Sequence, residues 1–325
     1  MKYVKSVISF ILISNILFFL SISVNKIIID ENCDESEEMQ PSDWLYAQRV
    51  FPYDKINREA YMEAMHQAQS IQNQPLTLRN NTQWTLAGPT NAGGRISSLA
   101  AHPSDAQTIY IGAAAGGVFK TTDGGGSWTP IFDGNSSLSI GDIAIAPTNK
   151  DILYVGTGEA NGGGGSVNFD GLGVFKSTNA GTNWQNIGLE NVGSIGKIVI
   201  DPQNPNRVFV AAMGTLYDKN PNRGIYRTTD GGITWQKVLY VTDSTGCIDV
   251  AIHPQNPNIL LATMWERIRR PHYRDYGGST CGVYRSLDGG NTWEKMTNGL
   301  PTTNIGRMGI AISPADPSEI GRAHV

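Results

Sequence analysis

Two acidic residues occupy the same place in different copies of a repeated apolar segment. Asp142 and Asp249 each stand five residues before the proline that ends the segment, Pro147 and Pro254. Glycoside hydrolysis requires two carboxyl groups about 5 to 9.5 Å apart. We therefore consider these aspartates a candidate acid–base pair, although they come from non-adjacent copies and charged residues at such a position also simply hold water. Two further acidic candidates lie in loops: Glu159 and Glu266.

A second chemically rich region is residues 264–282, which combine four arginines with aromatic rings. Guanidinium groups bind carboxylates and sulfates, and aromatic rings provide flat surfaces on which sugars stack. The region predicts a site for an acidic or carbohydrate ligand. The alternative is that its arginines pair with loop acids such as Asp170 and Asp218. The candidate ligand-binding residues are Trp265, Arg267, Arg269, Arg270, Tyr273 and Arg274.

Four copies of an eight-residue motif place an aspartate or asparagine before glycine and tryptophan. The carboxylates invite a catalytic or metal-binding interpretation. However, an aspartate can also accept N–H bonds from its own turn while a glycine adopts positive φ. Asn179 favours this structural role, because asparagine closes the same turn but cannot act as a carboxylate acid or base. The motif residues are Asp123 and Trp128, Asn179 and Trp184, Asp230 and Trp235, and Asp288 and Trp293.

The elements that must position these residues follow from the period of the motif. The four tryptophans recur every 51 to 58 residues, and each interval holds short segments rich in Val, Ile and Tyr, for example 143–146, 153–156 and 174–177. Such segments, bounded by Gly and Pro, are typical of β-strands. Four strands in about 50 residues form a β-propeller blade. The sequence predicts an all-β propeller of about four blades plus the start of a fifth, with an incomplete ring, preceded by a short α-helix.

The motif [Ser/Thr]-x-Asp-x-Gly-x-[Ser/Thr]-Trp resembles the Asp-box, or bacterial neuraminidase repeat, of a propeller superfamily. That superfamily includes sialidases, two-propeller xyloglucan-cleaving glycosidases and the sortilin extracellular domain. The phrases that begin at Gly93, Gly117 and Gly224 are most similar to secreted bacterial sortilin-like proteins. The resemblance implies that the tryptophans pack between blades. It also implies that a functional site lies on the rim formed by the loops between the second and third strands of each blade.

Within this superfamily, sialidases begin their arginine triad with Arg-Ile-Pro. Here Ser97 follows Arg95 and Ile96, so only Arg95 carries over, as an anion-binding candidate. The resemblance therefore implies a protein- or glycan-binding scaffold without catalysis in this segment. The alternative is a sialidase-like or xyloglucanase-like glycoside hydrolase, and an adhesin or peptidase-linked protein is a third class.

Composition restricts the partners. The chain has 325 residues, 37 of them glycine, with 17% charged residues and a net charge of -4. Nucleic acid is not expected as a partner, because its recognition needs a basic surface. We expect no cofactor and no metal, and a protein or glycan ligand on the loop rim. A membrane is a partner only if the N-terminal apolar segment stays as an anchor.

The chain is expected to divide into five parts. Residues 1–24 resemble a bacterial signal peptide, which predicts a secreted or cell-surface protein; 25–53 form an acidic linker, 54–82 a helical pre-segment and 83–319 the propeller. Residues 320–325 match the translation of a common sequencing adapter, which predicts a non-native tail and a longer natural protein. After export, Cys247 and Cys281 could form a disulfide, since both lie in one repeat unit.

Overall fold

The computed structural model describes residues 44, 47–48, 50–52, 55–72, 93–162, 168–269, 274–301, 305–317 and 320–324. The chain divides into two compact units, Met1–Asp54 and Lys55–Val325. In the first unit, residues 44, 47–48 and 50 are helical. The predicted signal peptide and most of the predicted linker lie outside the described residues.

The second unit contains four antiparallel four-stranded sheets and a two-stranded fifth sheet, which are blades of a partial β-propeller. The first blade holds β1 (Ile96–His102), β2 (Asp105–Ala113), β3 (Gly117–Thr121) and β4 (Thr129–Pro130). The second holds β5 (Ile140–Ala146), β6 (Asn149–Thr157), β7 (Val174–Ser177) and β8 (Gln185–Asn186). The third holds β9 (Ser194–Ile200), β10 (Val208–Gly214), β11 (Gly224–Thr228) and β12 (Gln236–Leu239).

The fourth blade contains an additional hairpin in its long loop. Its sheet holds β13 (Thr245–Ile252), β14 (Leu260–Glu266), β17 (Gly282–Ser286) and β18 (Glu294–Met296), and the hairpin holds β15 (Ile268–Arg269) and β16 (Arg274–Asp275). The fifth sheet pairs β19 (Met308–Ile312) with β20 (Ile320–His324). Residues 320–324 of the predicted non-native tail thus lie in β20. The predicted all-β fold of four-stranded blades preceded by a helix is confirmed.

The first strands of successive blades contact one another in the order β1, β5, β9, β13 and β19, and so line the centre of the propeller. The hydrophobic core lies between neighbouring blades. One cluster joins the first and second blades, and equivalent clusters join each later pair. A blade is apolar on both faces and is stable only when each face is buried against a neighbour.

The four turn motifs form one repeated hydrogen-bond arrangement. The Asp123 carboxylate accepts bonds from the Ser127 N–H (2.9 Å) and the hydroxyl groups of Thr121 (2.6 Å) and Ser127 (2.7 Å). Asn179 closes its turn in the same way, accepting the Asn183 N–H at 2.9 Å. These bonds hold the pKa of the Asp123 carboxyl well below its usual range. Equivalent bonds are made by Asp230 and Asp288.

The α-helix α1 (Arg58–Gln72) precedes the blades in the second unit. Asn57 caps it, because its Oδ1 accepts the Ala60 N–H at 3.1 Å. The helix contacts the loops through polar groups: Arg58 donates to the carbonyl oxygens of Gly171 and Glu190 and forms an ion pair with Asp170 at 3.3 Å.

The expected disulfide between Cys247 and Cys281 is not formed; both are buried free thiols. The reason is strand order. Met264 of β14 pairs with Cys247 on one side and with Gly282 on the other, so β14 separates the two cysteines. Two strand spacings are about 10 Å, which exceeds the roughly 7 Å Cα separation that a disulfide tolerates.

Candidate functional site

A cavity of about 610 Å³ lies where the first strands of the blades meet. Its polar lining includes Asp142, Asn161, Lys197, Asp249 and Arg307. The two aspartates of the predicted acid–base pair therefore face the same space, although they belong to the second and fourth blades. This cavity is the candidate functional site.

A β-bulge near the start of β5 and another near the start of β13 position the aspartates. In β5 the pairing with β6 skips Gly141, and in β13 the pairing with β14 skips Ile248. A side chain at Gly141 would collide with the Ile195 carbonyl oxygen of the next blade. The bulge thus brings neighbouring first strands close together and directs the following residue, Asp142 or Asp249, to the seam between them.

Asp142 is a buried carboxyl group, only 3% exposed. Its Oδ2 accepts the Ile198 N–H of β9 at 2.8 Å, and the Lys197 ammonium lies 3.5 Å from it. Burial raises the pKa of Asp142 to about 6, because desolvation outweighs the attraction of Lys197 and the hydrogen bonds. A carboxyl group with this pKa exchanges its proton near neutral pH, as a general acid must.

Asp249 repeats the arrangement two blades further along the chain. Its Oδ2 accepts the Ile310 N–H of β19 at 3.0 Å. Burial raises its pKa, while that hydrogen bond and the charge of Lys197 oppose the rise. Each aspartate therefore joins its blade to the next one and also presents a carboxyl group to the cavity.

Glu159 and Arg95 are paired with each other. The Glu159 side chain is 2% exposed, and its Oε1 forms an ion pair with Arg95 Nη1, which belongs to the segment before β1. Arg95, the anion-binding candidate of the sequence analysis, thus has the Glu159 carboxylate as its partner. Glu266, expected in a loop, is the last residue of β14, and its Oε2 accepts the Thr280 hydroxyl at 2.7 Å.

Two arginines of the fourth blade's loop, Arg267 and Arg269, are buried. Arg267 is fully buried, with its Cζ 4.6 Å from the ring centroid of Trp265 and 5.5 Å from that of Tyr276, and Arg269 is 7% exposed. Arg269 donates to Asn168 Oδ1 at 2.6 Å, and Arg267 donates to the carbonyl oxygens of Ala160 and Gly162. Arg270 and Tyr273 lie outside the described residues, and only the backbone of Arg274 is described, in β16.

Arg267 and Arg269 thus tie the fourth blade's loop to Ala160, Gly162 and Asn168 of the second blade's loop. Ligand binding by the fourth blade's loop stays a prediction. The sequence patterns did not indicate Asn161, Asn168 or Arg223. The glycine-rich composition of 157–172 and the arginines of 264–282 were the available signal, but it did not indicate that the two loops meet.

The carboxylates of the turn motifs are used within the turns themselves. Asp123, Asp230 and Asp288 each use both carboxylate oxygens within their own turns. In the part of the chain that the structure describes, no three His, Cys, Asp or Glu side chains are grouped so that they could hold a metal ion.

The chain is similar to known propeller proteins. Residues 173–315 match the family model for Sortilin-Vps10 (sortilin, neurotensin receptor 3). The xyloglucanase Xgh74A of Acetivibrio thermocellus is 24% identical, covering 62% of this chain and 32% of the relative. A xyloglucanase of a Paenibacillus species is also 24% identical, covering 67% of this chain and 22% of the relative. The chain thus spans less than a third of either relative.

A solved structure has the same fold. The crystal structure of an ancestral GH74 enzyme superposes with a TM-score of 0.52 at 23% identity, covering 69% of this chain and 28% of that one. No helix in the described ranges is long and apolar enough to cross a membrane. With the blade topology, these similarities identify the chain as a β-propeller protein.

Proposed function

We propose that the chain is part of an extracellular, carbohydrate-active β-propeller protein that hydrolyses a glucan of the xyloglucan type. The observation that carries the proposal is that two aspartates with raised pKa values, the buried Asp142 and the partly buried Asp249, line one polar cavity. The similarity to xyloglucanases supports the substrate class. Export is supported by the signal-like residues 1–24.

In this proposal Asp142 is the general acid. Its pKa of about 6 keeps part of the population protonated near neutral pH, so it can donate a proton to the glycosidic oxygen. Asp249 is the carboxylate that acts on the sugar ring or on the attacking water. The nearby Lys197 ammonium favours the ionised form of both aspartates and so stabilises the carboxylate that Asp142 becomes when it gives its proton to the glycosidic oxygen.

The test is release of reducing ends from soluble xyloglucan by the wild-type chain and by Asp142→Asn and Asp249→Asn. Each substitution should lower turnover by about 10² to 10⁴, the usual contribution of a general acid or base. Asp123→Asn is the matched control, because the equivalent Asn179 already closes the same turn with an amide. Full turnover in both cavity variants would refute the catalytic assignment.

A non-catalytic binding module is the second candidate function. It is favoured by the observation that Asp142 and Asp249 each accept a backbone N–H from the next blade, which is a structural use of the carboxylate. In that case the wild-type chain would bind xyloglucan, or a protein ligand, without releasing reducing ends. Titration calorimetry beside the activity assay distinguishes the two functions.

A further inference from the structure

Asn161 stands at the edge of the central cavity with an unused polar atom. The residue lines the cavity together with Asp142, Lys197 and Asp249. Its Oδ1 is buried and has no hydrogen-bond partner among the described residues. Leaving such an atom unpaired costs about 1 to 3 kcal/mol, so a folded protein that retains it calls for an explanation.

The backbone on both sides of Asn161 is held by one guanidinium group. Arg267 Nη1 donates to the carbonyl oxygen of Ala160, and Nη2 donates to that of Gly162 at 2.5 Å. Arg267 is itself fully buried and contacts the rings of Trp265 and Tyr276. Because the guanidinium is a rigid planar fork, it fixes the orientation of the peptide groups that carry Asn161.

Further bonds hold the same short segment. Asn168 Nδ2 donates to the Glu159 carbonyl oxygen at 3.0 Å, and the Glu159 N–H donates to Ser139 Oγ at 3.1 Å. Arg269 in turn donates to Asn168 Oδ1. Residues 159–162 are therefore fixed by buried polar contacts from the second and fourth blades, whereas the Asn161 Oδ1 makes none of these bonds.

We propose that Asn161 is a ligand-contacting residue of the central cavity and that Arg267 is the positioning residue that aims it. A side-chain amide both donates and accepts hydrogen bonds and carries no charge, so it suits the hydroxyl groups of a neutral sugar. The ligand class rests on the proposed function. The geometry adds Asn161 as the residue that contacts the sugar and the buried Arg267 as the residue that sets the orientation of Asn161.

The experiment is titration calorimetry of the full chain with xyloglucan oligosaccharides. Asn161→Ala should weaken binding roughly tenfold, the effect of losing about one hydrogen bond to a neutral ligand. Arg267→Lys should weaken it to a similar extent, because a lysine cannot hold both carbonyl oxygens in one plane. If Arg267 acts through Asn161, the double variant should bind no more weakly than the weaker single variant.

Arg223→Lys is the matched control. Arg223 is equally buried and donates to the carbonyl oxygens of Thr215, Asp218 and Ser244, which are not among the residues that line the cavity. This variant should lose thermal stability but keep the wild-type dissociation constant within about twofold. A loss of affinity in it equal to that of Arg267→Lys would overturn the positioning role.

Three other results are decisive. Wild-type affinity in Asn161→Ala overturns the inference and leaves glycan binding intact, whereas additive effects of the two substitutions overturn the role of Arg267 alone. A wild-type chain that binds none of the sugars overturns both the proposed function and the ligand class. If Arg267→Lys does not fold, Gly162→Ala displaces the same backbone, because its methyl group would collide with Asn168 Oδ1.

Discussion

Asp142 and the turn aspartates show how one residue type acquires opposite properties. Asp142 is removed from water and accepts few hydrogen bonds, so burial raises its pKa to about 6. Asp123, Asp230 and Asp288 are exposed to solvent but accept bonds from their own turns, which lowers their pKa values. Burial and local hydrogen-bond donors, rather than residue identity, decide whether the protonated or the ionised carboxyl group is favoured.

At the residue scale, the raised pKa of Asp142 predicts a pH-dependent stability. Between pH 4 and pH 6 the folded state binds this proton more tightly than the unfolded state does, so the contribution to the free energy of unfolding falls as pH rises. A rise in the pKa from 3.8 to about 6 corresponds to a loss of about 3 kcal/mol in the free energy of unfolding, and the loss is complete above pH 6. Urea unfolding of wild type and Asp142→Asn at pH 4 and pH 7 measures it.

The free energy of unfolding of the wild type should therefore fall relative to that of Asp142→Asn as the pH increases from 4 to 7. Asp123→Asn serves as the control for a carboxylate with a lowered pKa, whose stabilisation is instead lost as pH falls through its folded pKa. A difference between wild type and Asp142→Asn that stays constant from pH 4 to pH 7 would contradict the burial of a titrating group at this position.

At the element scale, blades are joined by contacts that recur from one repeat to the next. Trp184 Nε1 donates to the Ile131 carbonyl oxygen of the preceding blade at 2.8 Å, and Trp235 Nε1 donates to that of Ile187 at 2.7 Å. On the other side, Lys176 Nζ donates to the Gly231 carbonyl oxygen in the following turn motif. The turn motif is thus the place where neighbouring blades are joined.

This arrangement predicts that Trp235→Phe destabilises the protein by at least about 1 kcal/mol, because phenylalanine keeps one aromatic ring but loses the indole N–H bond to Ile187. Trp128→Phe is the control, since the Trp128 side chain is 38% exposed and belongs to the first blade. Chemical denaturation of both variants gives the comparison. Equal destabilisation by the two substitutions would show that the inter-blade hydrogen bond contributes nothing to stability.

At the scale of the whole molecule, α1 is attached to the loops of the propeller by polar side chains, chiefly by Arg58. Arg58 forms three polar contacts with Asp170, Gly171 and Glu190, and Tyr61 donates to the Asp170 carbonyl oxygen at 3.0 Å. Burial raises the pKa of Asp170, and the charges of Arg58 and Arg223 oppose this rise. A helix of 15 residues is marginal by itself in water, so its order depends on these contacts.

Removing the arginine should therefore release the helix. In Arg58→Met the amide hydrogens of α1 are expected to exchange at least tenfold faster, while those of the inner blade strands keep their protection. Glu63→Ala is the control, because Glu63 bonds only to Gln67 of the same helix among its described partners. Unchanged protection of α1 in Arg58→Met, measured by hydrogen exchange, would show that other contacts hold the helix.

Much of the fold could be predicted from the sequence because its signals are local and repeated. The alternation of apolar residues, the glycines of the turns and the spacing of the tryptophans each concern a few neighbouring residues, and four copies reinforce one another. The strand order and the turn role of Asn179 follow from these local rules. The positions of Asp142 and Asp249 on the inner strands follow from the same repeat.

The loops could not be predicted in this way, because their partners are far away in the chain. Arg267 contacts residues 160 and 162, more than a hundred positions earlier, and no periodic pattern connects the two segments. Separation of Cys247 from Cys281 by β14 likewise depends on which strands are neighbours.

The amino-acid sequence by itself determined the blade, because backbone geometry and turn chemistry act over a few residues. Only the tertiary structure decided which polar groups are buried and what they bond to. Burial is a property of the assembled blades, and it is burial that converts Asp142 into a carboxyl group that titrates near neutral pH and turns the loop arginines into internal supports.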